Sequence, residues 1–457
     1  MTLRPLLAAL ACGVLCLSLV GCDTSTGVGA EIGEDLEGGD PQAIDLVANS
    51  SSFGATEISA PITGNTQSRD WRVLVGRVFD PAAGEATAHG YLDFSRPASL
   101  PNAILESSAD RLEASLNLAP GYLHGDSTAT LEVTLYSLTN NEDFEDARSD
   151  TSFTVGAPIE TYEISAAEDS LVTLDLPASW LAENLDALTD TTDAFSDRVT
   201  GLKLEVTGPT SPTAGAPGAV LGFTTRNAET SLEIARADET SSASYGISQS
   251  FTEVSWSDPP SNVSGDDRAL LRGGDNRALS LDFNFEETVR TEDLIGAPLN
   301  RVRLEIPLDS VRQDAGLPET FTRPQVSGYR LLLRRSGDPG VPSCESDALG
   351  QLLTQTPDSG LDPNDEEGRY CFLPADLSGL PGSVGTVAIE EAVNASLQPE
   401  SPVVFESFRL EIIDRFSSSS SFNPVFPGVP TTAPVLVPTP SPDNPERPRI
   451  TIVATPV

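Results

Sequence analysis

The 457-residue chain has almost no lysine and very little histidine. Lys203 is its single lysine, histidine occurs at two positions, and lysine plus arginine total 27 against 68 acidic residues. The resulting net charge of −41 repels nucleic-acid phosphates and anionic lipid headgroups, so we expect neither as a partner. An acidic excess with so little lysine resembles the proteins of extreme halophiles, and we predict a halophilic protein.

Long apolar runs are also scarce, apart from one at the start of the chain. Arg4 precedes Leu6–Val20, an apolar run of about 15 residues. That length is too short to span a membrane comfortably and is typical of the core of a signal peptide. The following Leu19-Val20-Gly21-Cys22 resembles a bacterial lipobox. The resemblance implies that residues 1–21 are removed and that Cys22 carries the lipid anchor.

Only five cysteines occur, and the export signal accounts for three of them. Cys12 and Cys16 leave with the signal peptide, and Cys22 takes the lipid, so Cys344 and Cys371 remain. Exported proteins meet an oxidising compartment, and two remaining cysteines therefore predict a Cys344–Cys371 disulfide. Neither has a histidine near it in the sequence, which argues against a zinc site.

Helical periodicity is rare, whereas alternation of apolar and polar residues is frequent. Residues 22–54 are rich in Gly, Asp, Glu and Ser and predict an acidic, flexible tether. Beyond residue 55, only Ala178–Leu188 and Glu390–Leu397 favour short helices. The period-two alternation of strands occurs in seven clear segments. These are Trp71–Phe79, Gly90–Phe94, Leu112–Leu118, Thr130–Leu138, Leu171–Leu176, Leu202–Val206 and Ser231–Ala235.

Several of these segments recur later in the chain in the same order, which indicates a duplication. Leu92-Asp93-Phe94 is matched by Leu281-Asp282-Phe283, and Leu202–Val206 by Phe408–Ile412. We therefore predict an all-β protein of two tandem antiparallel β-sandwich domains, jelly-roll-like, at residues 55–240 and 241–457. The serine- and proline-rich residues 417–448 predict a loop that cannot form a central strand and that leads to a last strand at Arg449–Ala454.

The sequences and order of several predicted strands resemble those of a known group of β-sandwich domains. The run Gly90–Phe94, then Arg111–Leu118, then Thr130–Thr139 is similar to DNRLRE-type, carbohydrate-module-like domains. The layout of lipobox, acidic tether and two similar halves resembles a lipoprotein family of the Bacteroidota. The resemblance implies sandwich domains exposed in the cell envelope, and it assigns no catalytic or binding residue.

The sequence offers only weak candidates for catalytic residues. His124, Asp126 and Ser127 are close in sequence, but neighbours in a turn point apart, and a triad needs its members to converge. The chain also contains no Gly-x-Ser-x-Gly nucleophile elbow. Paired acids are expected by chance among 68, and the 6% of aromatic residues is low for a sugar-cleaving groove. We therefore interpret His124 as a turn histidine and predict no enzyme.

Two ligand sites remain as hypotheses. The acidic run 358–368 offers Asp362, Asn364, Asp365 and Glu367 as calcium ligands, although its spacing differs from that of an EF-hand and a solvated acidic loop is the favoured interpretation. Trp256 lies near the junction of the two halves and is a candidate platform for stacking on a sugar ring. Apart from possible calcium, no cofactor is predicted.

Together these features predict a non-enzymatic lipoprotein of the cell envelope, in the outer membrane, with the face left open. Its function would be adhesion, envelope structure or contact with envelope glycans. The alternatives are an accessory binding subunit that partners an outer-membrane β-barrel of a transport machine, and a polysaccharide-active enzyme.

Overall fold

The computed structural model describes a large part of the chain, in many segments, and that part is mostly strand. All pairings between its strands are antiparallel, which confirms the predicted all-β class. The described residues are 41–48, 53–57, 72–139, 144, 152–167, 170–192, 194–208, 212–225, 228–237, 241–257, 268–275, 277–283, 296–307, 309–310, 317–326, 328–336, 370–372, 404–413, 431–432, 434–438, 440 and 447–455.

Strands β3–β13 form a first set of paired strands. Sequence alternation predicts the bounds of β5, β7 and β10 to the residue, because apolar side chains at alternate positions of each strand are buried in the same core. The strands are β3 (Arg72–Asp80), β4 (Gly84–Phe94), β5 (Leu112–Leu118), β6 (Pro120–Asp126), β7 (Thr130–Leu138), β8 (Val155–Ser165), β9 (Val172–Leu176), β10 (Leu202–Val206), β11 (Gly218–Thr224), β12 (Ser231–Arg236) and β13 (Ser242–Trp256).

The first set encloses a large apolar core in the manner of a β-sandwich. Leu92 of β4, Leu116 of β5 and Leu204 of β10 are fully buried in it. β13 connects its two sheets, because its first half pairs with β12 and its second half with β4. Among the described residues, three α-helices flank the strands: α1 (Asn102–Leu105), α2 (Ala178–Leu188) and α3 (Phe195–Arg198). The bounds predicted for α2 are confirmed.

The second set is formed by shorter strands from both ends of the chain. They are β1 (Gln42–Val47), β2 (Gly54–Glu57), β14 (Arg268–Leu271), β15 (Arg277–Asp282), β16 (Leu299–Glu305), β17 (Asp309–Ser310), β19 (Gly328–Ser336), β20 (Tyr370–Phe372), β21 (Val404–Ile413), β22 (Val435–Pro438) and β23 (Arg449–Ala454). One further strand, β18 (Phe321–Thr322), pairs with β6 of the first set.

The same order of strand pairing occurs in both sets. The first set contains the series β6-β11-β3 and β4-β10-β7-β8 and the pair β5-β12. The second contains β17-β22-β14, β15-β21-β19-β20 and β16-β23. Each strand of one series has its counterpart at the same place in the other. These pairings support the duplication predicted from Leu92-Asp93-Phe94 and Leu281-Asp282-Phe283.

In the second set, β1 and β2 from the start of the chain occupy the positions that β13 occupies in the first set. β13 pairs with β12 and then with β4; correspondingly, β1 pairs with β23 and β2 with β15. The observed strands differ from the predicted organisation at two places. Residues 42–47 are strand although the tether was predicted over 22–54, and β13 completes the first set although it lies beyond residue 240. Long-range hydrogen bonding determines these borders, and local composition does not show it.

Two further predictions fail for a similar reason. β22 lies inside the predicted loop 417–448 and is the middle strand between β14 and β17; its proline, Pro438, is at the strand end, where the ladder tolerates it. His124 lies in β6 and not in a turn. The predicted last strand, Arg449–Ala454, is confirmed. None of the helices in the described segments is long and apolar enough to cross a membrane.

Candidate functional site

A buried polar cluster lies where β18 meets the first set, and we call Asp80, His124, Arg323 and Thr431 the Asp80 cluster. Asp80 ends β3 and is fully buried. Its Oδ1 accepts a 2.8 Å hydrogen bond from the Ala82 amide, which closes the turn into β4. Arg323 donates from Nε to Oδ2 at 2.7 Å and from Nη2 to Oδ1 at 2.9 Å. This two-pronged geometry is the strongest that an arginine and a carboxylate form.

His124 connects the carboxylate to a third part of the chain. Its Nδ1 lies 3.0 Å from Oγ1 of Thr431, and its Nε2 lies 3.5 Å from Oδ2 of Asp80. The second distance is too long for a good hydrogen bond. The imidazole is fully buried, and the Phe321 ring meets it edge-on with 5.9 Å between centroids.

Glycine makes the close packing around His124 possible. Gly125 has φ +123°, which favours glycine, and a Cβ there would lie 2.4 Å from the carbonyl oxygen of Gly218 in β11. Tyr122, two residues before His124, donates its hydroxyl to the Thr431 carbonyl. β6 therefore holds the Thr431 segment through two side chains of the same strand face.

A second group of polar contacts surrounds Arg272, next to the Asp80 cluster. Arg272 donates Nη1 to the carbonyls of Ala83 at 2.7 Å and Ser257 at 2.9 Å, and it pairs with Asp275. Its guanidinium lies 4.9 Å from the ring centroid of Trp256. Trp256 in turn donates Nε1 to the Gly273 carbonyl at 3.0 Å. These contacts attach the segment before β15 to the β3–β4 turn.

The charges in the Asp80 cluster hold Asp80 ionised. Burial alone raises the pKa of Asp80. Contact with His124, hydrogen bonding and the charge of Arg323, and the Ala82 amide together outweigh burial and lower the pKa to about 2. A carboxylate whose two oxygens already accept these bonds is a weak base. The cluster is therefore suited to holding chain segments together rather than to moving a proton.

The sheet face of β4 that carries the other histidine is also occupied by internal contacts. The Tyr91 hydroxyl donates to Oε2 of Glu253 at 2.8 Å, and burial followed by the charge of Glu253 raises the pKa of Tyr91. Lys203, the single lysine, lies 2.5 Å from Glu205 and 5.7 Å from the Tyr91 ring centroid. Burial and then Lys203 lower the pKa of His89, which favours the neutral imidazole.

The sequence-predicted site residues fall mostly outside the described residues. This holds for Cys22, Cys344 and the calcium candidates Asp362, Asn364, Asp365 and Glu367. Cys371 lies in β20, whose side chains are not described, so the disulfide stays a prediction. Trp256 is half-buried between Arg272 and Gly273, and its role as a sugar platform also stays a prediction. The described segments contain no group of three or more His, Cys, Asp or Glu that could hold a metal ion.

Sequence reasoning missed Asp80, Arg323 and Thr431. Asp80 and Arg323 are 243 residues apart in the sequence, and His124 and Thr431 are 307 residues apart. No local spacing pattern therefore connects them. The one available signal is the alternation Tyr122-Leu123-His124 between glycines, which is compatible with a buried strand. Comparisons with protein-family models, with curated proteins and with solved structures found no match to this chain.

Proposed function

We propose that this chain is a non-enzymatic lipoprotein of the bacterial cell envelope, anchored through Cys22, whose acidic β-sandwich contacts envelope or surface glycans. The lipobox at Leu19–Cys22 motivates the anchor. The acidic surface favours uncharged or cationic polymers as ligands over anionic ones, because a net charge of −41 repels anions.

The observation that carries the non-enzymatic assignment is the burial of the Asp80 cluster. Asp80 and His124 have the residue types of a general base and its orienting acid, yet neither has any exposed surface. A catalytic base must come within hydrogen-bond reach of its substrate. Here Arg323 donates a hydrogen bond to the Asp80 carboxylate, and Oγ1 of Thr431 contacts Nδ1 of His124. Both partners come from distant parts of the chain.

A paired binding and turnover experiment tests the proposal. The purified mature protein is applied to a glycan array and to isolated cell-wall polymers, and the same polymers are incubated with it and analysed for released fragments. We expect retention on at least one neutral polymer class and no fragments. Absence of binding to every polymer contradicts glycan contact, and fragments that disappear with Asp80→Asn in a folded protein contradict the non-enzymatic assignment.

Trp256 provides a variant for the binding arm. Trp256→Phe keeps an aromatic ring but loses the hydrogen bond to Gly273. If Trp256 is the sugar platform, retention on the bound polymer falls severalfold. Trp180→Phe is the matched control, because Trp180 lies on α2 and packs against the core of the first set. Equal retention of both variants would assign Trp256 to packing alone.

A further inference from the structure

The strands that close the two sets stand in a revealing order along the chain. β1 and β2 come directly before β3, yet their hydrogen-bonded partners are β23 and β15 of the second set. β13 comes directly before β14, yet it pairs with β12 and β4 of the first set. Each closing strand therefore completes the set that does not follow it in the chain. This is the connectivity of strand exchange, here within one chain.

β1 lies at the edge of its sheet and fits β23 through both of its faces. Leu46 stands opposite Ile450, and both side chains are buried. Ile452, the next residue on this face of β23, is buried as well. On the other face, Oγ1 of Thr451 donates a 2.6 Å hydrogen bond to Oδ1 of Asp45. Cross-strand pairs of these kinds stabilise a sheet, so β23 presents an edge that is complementary to β1.

β1 and β2 form strand pairs with the second set alone among the described residues. Residues 58–71 connect them to β3 of the first set and can span up to about 50 Å when fully extended. A segment joined by such a linker can reach the same position in a neighbouring copy. Every hydrogen bond and buried side chain of the β1–β23 and β2–β15 pairs would be kept there, because donor and acceptor are unchanged.

We propose that β1 and β2 are exchanged between two copies of this chain, so that residues 42–57 of each copy complete the second set of the other. Each copy has one donor segment and one acceptor edge. Reciprocal exchange therefore closes into a dimer, whereas one-way exchange would continue into a filament and leave the Leu46-binding edge of β23 uncovered at its end. The proposal is independent of the glycan contact and of the lipid anchor, since its contacts lie in the second set.

Two co-expressed single-substitution variants test the exchange. Asp45→Cys and Thr451→Cys place thiols at directly opposite positions of β1 and β23. Such residues have Cβ atoms about 4.5–5.5 Å apart, close to the separation that a disulfide requires. The two full-length variants carry different affinity tags. A disulfide-linked dimer that contains both tags then forms when β1 of one copy lies beside β23 of the other, and we expect it on non-reducing gels.

Asp45→Cys co-expressed with Glu163→Cys is the matched control, because Glu163 is exposed on β8 of the first set. The native cysteines remain in every variant, so their background is the same in both pairs. We expect severalfold more mixed-tag dimer from the Thr451→Cys pair than from the control. The double variant with Asp45→Cys and Thr451→Cys measures the exchanged share, because a disulfide within one chain leaves a monomer and reciprocal exchange gives a cross-linked dimer.

Three results would overturn the proposal. A mixed-tag dimer no more abundant than in the control would mean that β1 stays in its own chain. A ladder of cross-linked multimers from the double variant would contradict closed, reciprocal exchange. A double variant that keeps the wild-type melting profile but forms no disulfide between positions 45 and 451 would contradict the pairing of β1 with β23 on which the exchange depends.

Discussion

Replacing Asp80 by asparagine tests whether the Asp80 cluster holds the fold together. The variant keeps the side-chain shape but leaves the Arg323 guanidinium, 8% exposed, without its counter-ion. Removing one partner of a buried ion pair costs about 3–5 kcal/mol. The shortest contacts here are 2.7 and 2.9 Å and involve both carboxylate oxygens, so we expect the free energy of unfolding to fall by at least about 3 kcal/mol.

A double-mutant cycle separates the interaction energy of the Asp80–Arg323 pair from the effects of each residue's other contacts. Arg323→Met removes the guanidinium and keeps an unbranched apolar side chain. The cycle consists of Asp80→Leu, Arg323→Met and the variant that combines them. The combined variant removes both charges, and replacing a whole buried ion pair by apolar residues is often close to neutral. We therefore expect the double variant to be at least as stable as Asp80→Asn. The assay is urea unfolding followed by tryptophan fluorescence, with the slope against denaturant compared between variants.

The pH dependence of the same variants gives an independent check. The pKa of Asp80 in the folded protein is about 2, below its ordinary value of 3.8. The stabilisation from this depressed pKa is therefore fully present above about pH 4 and is lost as the pH falls toward 2. Its size is about 2 kcal/mol, and Asp80→Asn should lack this component. Two results would refute the claim that the Asp80 cluster holds the fold together. One is a decrease in the free energy of unfolding below about 1 kcal/mol for Asp80→Asn at pH 7. The other is a double variant whose decrease equals the sum of the decreases in the single variants.

Three further predictions concern the remaining architecture. Removal of residues 1–57 should expose the amides of β15 and β23 to hydrogen exchange, measured by mass spectrometry, while β3–β13 stay protected; uniform protection would contradict closure by β1 and β2. Cys344 and Cys371 should appear as one linked peptide pair after non-reducing digestion, and two alkylated thiols would contradict the disulfide. The melting temperature should rise in both sodium and choline chloride up to molar concentrations, because screening relieves the repulsion of a −41 chain. A flat profile from about 0.05 to 3 M salt would contradict the halophilic prediction.

Alternation of apolar and polar residues predicts many of the strands, because the apolar side chains of each strand point to a buried face of its sheet. β5, β7 and β10 match their predicted bounds, and α2 does as well. β8 was missed because it is an edge strand, paired within the described residues only with β7, and most of its side chains are exposed. Such a strand carries little apolar periodicity. Its Pro158, Glu160 and Glu163 are instead features that discourage pairing by a further chain.

The closure of the second set and the Asp80 cluster were not predictable from local pattern. Asp45 of β1 pairs with Thr451 of β23, 406 residues away, in a segment whose acidic, glycine-rich surroundings favour a tether. The recurrence of Leu-Asp-Phe indicated two similar units, but similarity does not show which strand completes which unit. The local sequence of His124 predicts a turn because Gly125, Asp126 and Ser127 follow it. Its partners Thr431 and Phe321 come from distant segments, and only tertiary packing shows their proximity.

The most direct test of the envelope lipoprotein proposal is fractionation of cells that express the wild-type protein or Cys22→Ala. After a carbonate wash, the wild-type protein should stay in the membrane pellet and its N-terminal peptide should carry the lipid mass on Cys22. Cys22→Ala should move to the soluble fraction while keeping the thermal unfolding profile of the folded region. If Cys22→Ala stays in the washed membranes, or if the wild-type N-terminal peptide carries no lipid, the proposed anchor is wrong and the function built on it fails.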